Sequence, residues 1–118
     1  MANPVLTKAF VAGGAIAANT IVKFGADDDT VVIATAAADL SIGVAENITA
    51  TSGERVDVIQ QGIADVKAGG SIARGAMVTA NASGQAVAAA STNRTIGIAL
   101  ASAASGDIIP VLIAPSVM

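Results

Sequence analysis

The chain has 118 residues, of which 53% are hydrophobic and only 2% aromatic, and its net charge at neutral pH is −3. It contains no Cys and no His, which excludes disulfides, thiolate chemistry, zinc centres and the usual nucleophile–base pairs. The six basic residues, Lys8, Lys23, Arg55, Lys67, Arg74 and Arg94, stand singly with no interleaved aromatic platform, so no direct contact with nucleic acid is expected.

Residues 1–11 form an extended N-terminal segment. Pro4 biases Asn3 toward extended backbone, and Val5, Leu6, Phe10 and Val11 around Thr7 and Lys8 make a short strand. Such a strand either pairs with an exposed sheet edge on a neighbour or completes the chain's own sheet. Val/Ile-rich runs between Gly, Asn, Asp and Ser turns then follow at 20–24, 30–35, 41–46, 55–60, 77–79, 85–88, 95–100 and 107–113. This spacing predicts an all-β fold, a small single-domain barrel or sandwich over residues 12–118. At Arg55-Val56-Asp57-Val58 the alternation puts the valines on one face and the charges on the other. The Ala runs 36–38 and 86–90 are too short to nucleate helices and read as loop or strand. Pro110 cannot donate to a ladder and marks an edge or a bulge.

The chain says nearly the same thing twice. "AGGAIAANTIVKF" from Ala12 is answered by "AGGSIARGAMVTA" from Ala68, and "IGVA" with "SGERVDV" by "IGIA" with "SGDIIPV". The offset is about 56 residues early and about 53 later, so the chain is a diverged tandem duplication of one unit, 12–62 and 68–115. Two units are too few for a solenoid and predict one pseudo-symmetric domain. The shared positions are turn glycines and aliphatics. Gly13-Gly14 and Gly69-Gly70 are expected to supply positive φ or close backbone approach.

Much of the apolar content is Ala, which buries little area, so the core is thin and oligomerisation or docking is the remaining route to stability. Mean hydropathy is +0.70, yet no stretch of about 20 residues is continuously apolar, so no membrane span is expected. The start "MANPVLTK" lacks the pattern of a signal peptide, which makes the cytoplasm the expected place of synthesis.

Candidate chemical sites are few. Gly70 to Gly75 have phosphate-loop spacing, but Ala76 and Met77 replace the required Lys and Ser/Thr. Asp27-Asp28-Asp29 reads as a solvated turn, without the spacing of a calcium loop. Glu46, Glu54 and Arg55 read as strand-end charges. No catalytic, cofactor-binding or metal-binding residues are expected, and no enzyme.

The runs 21–90 and 96–115 carry in order Ile-Gly-Val-Ala, Ser-Gly-Glu-x-Val-x-Val, Gly-Ile-Ala-x-Val, Ile-Gly-x-Ala and Ser-Gly-Asp-x-Ile-x-Val. This ordered set resembles the tailed-phage head decoration, or capsid cement, proteins, a family formerly listed as a domain of unknown function. The resemblance implies a structural virion protein on the outer surface of an expanded capsid. Such a protein sits as homotrimers at three-fold and quasi-three-fold positions, contacts the major capsid protein and stabilises the shell against the pressure of packaged DNA. It carries over no catalytic residue and no cofactor. Val5, Leu6, Phe10 and Val11 are then the candidate capsid or subunit contacts. A tail-tube subunit is the alternative of similar build. A carrier-type β module is a further one, although Lys8, Lys23 and Lys67 are not set at the exposed hairpin tip that it needs.

Overall fold

The computed structural model describes residues 2–46 and 48–117, with the backbone alone at 117. Among them are nine strands and no helix: β1 Asn3–Ala12, β2 Ile21–Phe24, β3 Thr30–Ile33, β4 Ser41–Ala45, β5 Arg55–Lys67, β6 Met77–Ala80, β7 Ala86–Ala88, β8 Arg94–Ala99 and β9 Ile108–Val117. The fold is all-β, as the short Val/Ile runs between turns require. One sheet runs in the order β1-β3-β2-β4-β5-β9-β8-β6-β7, with an additional β1–β5 pairing.

That extra pairing closes the first of two barrels. In the first, β5 pairs with β1, β1 meets β3 through Val11↔Thr30 and Ala12↔Val31, and β3, β2 and β4 lead back to β5. In the second, β5 pairs with β9, followed by β8, β6 and β7, and the parallel bridge Ala68↔Ala86 returns to the end of β5. β5 is therefore a wall of both. Its first half faces β1 and β4, and its second half faces β9. Gly62 sits where the strand passes from one barrel to the other, with φ +96, and a Cβ there would lie 2.6 Å from the Asn3 carbonyl oxygen.

The duplicated phrases fold into duplicated hydrogen bonds. Ala12 N–H donates to Glu54 O at 2.8 Å and Gly13 N–H to Val31 O at 2.8 Å; in the second unit Ala68 N–H donates to Asp107 O at 2.7 Å and Gly69 N–H to Ala86 O at 2.8 Å. The bridge Ile16↔Ala50 is matched by Ile72↔Ala103. Phe10, Ile16, Val22, Val56 and Val58 fill the first barrel, and Val66, Ile72, Val78, Ile109 and Val111 fill the second at corresponding places. Each fully buried aliphatic of this size contributes on the order of 1.5–3 kcal/mol. The barrels are joined by Ile21, Ala34, Val44 and Ile59, which cluster with the second core. Ile21 N–H donates to Gly84 O at 2.8 Å, Lys67 N–H to Asn19 O at 2.9 Å, and the Asn19 side-chain amide to Asp65 O at 3.0 Å.

Three sequence expectations are corrected in detail. β5 continues to Lys67 instead of stopping near residue 60, because the Gly62 bend keeps Ala64 and Val66 pointing inward. Pro110 lies in β9, an interior strand opposite Asp65. Its carbonyl accepts from Leu100 N–H at 2.9 Å, so the N–H that proline lacks would face the end of β8 and the β5 ladder is intact. Of the two roles expected of the paired glycines, Gly13 and Gly69 show close approach, and none of the four has positive φ. Gly13 is needed for close approach to the Thr30 side chain, whereas Gly14 has open space around it.

Candidate docking surface

β1 positions the four residues singled out from sequence. Phe10 is 4% exposed and belongs to the first core, its ring edge-to-face with Phe24 at 6.0 Å and 72°. The Lys8 ammonium sits 4.3 Å over the same ring, a cation–π contact that holds this charged side chain down on the barrel. Val11 is half-buried, whereas Val5 is 75% and Leu6 45% exposed. The structure thus separates the set: Phe10 anchors the strand, and Val5 and Leu6 face outward near Gly62. Among the described residues, Asn3 to Phe10 pair only with β5, and β3 reaches β1 only at Val11 and Ala12. The other edge of β1 is open for most of its length. An open edge offers N–H and C=O groups to a neighbouring strand.

Charged groups around the barrels serve turns. Asp39 accepts Thr35 N–H at 2.7 Å and Ala36 N–H at 3.1 Å and pairs with Lys23 Nζ at 3.0 Å. The Thr35 N–H first, then Lys23, hold its carboxyl below the ordinary 3.8. Asp27 is likewise held low by Thr30 and the Asp29 N–H inside the turn between β2 and β3, and Glu54 by Thr51. Glu46, Arg55 and Asp57 share an open cleft with Ile48 and Val56. Gly70 to Gly75 lead into β6 and not into a helix, so the phosphate-loop spacing lacks its structural context. Lys8 and Lys23 lie within β1 and β2, and Lys67 ends β5. Among the described residues no group of three or more His, Cys, Asp or Glu is placed to hold a metal ion.

Exposed apolar residues that the sequence reading did not single out are Leu40, Ile48 and Leu100, whereas Ile108 and Leu112 belong to the apolar C-terminal run that it read as core or interface. Leu40 and Phe24 line a cleft of about 310 Å³ with Lys23, Ala38 and Asp39. The signal for Leu112 was available, because the repeat aligns it with the fully covered Ile59.

The profile described as phage cement protein matches residues 2–113. Among solved structures the chain is similar to the head fiber gp8.5 N base of bacteriophage phi29, with TM-score 0.72 and 19% identity over 96% of this chain and 97% of that one. That likeness concerns the fold. No curated protein matches the sequence.

Proposed function

The chain belongs to the phage cement protein family, and from that premise we propose that it binds the outer surface of a phage capsid and stabilises the shell against the pressure of packaged DNA. The observation that carries this reading is the family match over residues 2–113. As a family member the chain is a capsid-associated structural protein; its partners are the major capsid protein and sister copies in a homotrimer. A thin aliphatic core and exposed apolar strands suit a protein whose effect comes from many modest contacts at shell junctions, because linked contacts multiply in strength.

The open edge of β1 supports a grip through β-augmentation, with Val5 and Leu6 as the side chains that enter the neighbour. Phe10 and Val11 act behind them by fixing the strand to the barrel. The test compares heads with and without the protein under heat, chelation and osmotic shock. Heads lacking it are expected to assemble and to lose DNA sooner, and adding the purified protein back is expected to restore them. Equal survival of stripped and decorated heads under all three stresses would remove the stabilising role. Locating the protein by imaging virions distinguishes the head surface from a tail tube.

A further inference from the structure

The two barrels carry matching apolar rows on their outer faces. In the first, the row is Ile21, Val44 and Ile59, joined by the pairings Ile21↔Val44 and Val44↔Ile59. Residues opposite one another across a ladder share a face. This row is covered, because the second barrel sits on it and all three residues merge into that barrel's cluster. In the second barrel the corresponding positions are Met77, Ile98 and Leu112, joined by Met77↔Ile98 and Ile98↔Leu112, and Ile63 extends the row opposite Leu112.

The chain covers this second row only in part. Leu112 is 39% exposed, and Met77, Ile98 and Ile63 are half-buried. On the first barrel the outward positions Lys8, Arg55 and Asp57 carry charge, and the exposed apolar side chains Val5 and Leu6 lie near the start of β1. The second row keeps the apolar character of the first, which is fully buried, while remaining only partly covered.

We propose that the row Met77–Ile98–Leu112–Ile63 seats a barrel of a second copy of this chain. Within the chain, a barrel is what covers the equivalent row, and another copy brings another barrel of the same build. The contact is heterologous, a row on a barrel flank, and such contacts close into a ring when the rotation permits. The inference deepens the homotrimer reading above and rests on it for the number of copies.

The chain has no cysteine, so Leu112→Cys gives a single thiol on the row, and Asp57→Cys gives a control on the charged flank. A short photo-crosslinker is attached to each thiol, and both the purified protein and decorated heads are irradiated. Position 112 is expected to join two copies and position 57 is not. Adducts from position 112 to the shell protein alone, no adducts from an oligomeric protein, or equal yields from both positions overturn the inference and leave the homotrimer standing. A wild-type protein that is monomeric both in solution and on heads overturns both. In a second arm, Leu112→Lys and Ile98→Lys are each expected to weaken self-association at least tenfold in sedimentation, with an unchanged far-ultraviolet spectrum. Folded variants that associate like the wild type also overturn it.

Discussion

Gly43 and Gly97 hold the same place in the two units, and each explains why "IG" recurs. A Cβ on Gly43 would lie 2.5 Å from the Ile59 carbonyl oxygen, and one on Gly97 would fall on the Leu112 carbonyl. Strands β4 and β8 cross β5 and β9 too closely for any side chain there. Gly97→Ala is expected to destabilise by roughly 3 kcal/mol, because the obstacle is backbone that cannot turn aside; a denaturant midpoint will measure it. Thr95 is the opposite case. Its hydroxyl is buried and has no hydrogen-bond partner among the described residues, so Thr95→Val should raise stability by about 1 kcal/mol. Asp39 sets a pH dependence. Its carboxyl is held below 3.8 in the fold, so the unfolded chain takes up that proton first. The stability it contributes is present above the ordinary aspartate range and is lost as pH falls through the lowered value. Asp39→Asn should therefore flatten the acid side of the melting-temperature curve below about pH 4. The glycines were legible as geometry from the repeat alone. The pairing of Asp39 with Lys23 was not, since Lys23 lies on β2 and Asp39 in the turn between β3 and β4, and only the fold brings them together.

At the scale of elements, strand positions were legible from alternation and turn residues, and their ends differ from the structure by a residue or two. The exceptions are β9, which runs on to 117, and β5. Its second half contains Gln61, Gly62 and Asp65 among the aliphatics, which breaks the apolar run, and its continuation depends on pairing with the distant β9. β1 was legible as a strand, but its partner was not, because periodicity gives the faces of a strand and not its neighbours. The register supplies the answer: Phe10↔Val56 in the first barrel corresponds to Val66↔Ile109 in the second. The two halves of β1 therefore differ in what they do. Deleting residues 2–6 removes exposed side chains and should leave a folded protein, with a modestly lowered melting temperature and weak binding to stripped heads. Phe10→Ala should cost about 3–5 kcal/mol, as expected for a buried aromatic. Collapse of folding in the deletion variant would place residues 2–6 in the fold rather than in the grip.

For the whole molecule, the duplication announced two equivalent units, and the structure shows the economy in how they are joined. Nothing in the residue pattern of 55–67 says that both barrels use it, since each half of the strand looks ordinary alone. A strand of 13 residues with ladders on either side runs through the molecule as one covalent cable. In the proposed function, a swelling shell would pull its bound proteins sideways. Tension entering through the first barrel would then leave through the second along β5, loading the ladders beside it along their length instead of unzipping them bond by bond. Neither barrel can yield alone without tearing the wall of the other. Stretching the molecule between one handle on each barrel in an optical trap should accordingly show one abrupt rupture, whereas two separate steps would mean that the shared strand does not carry the force between them.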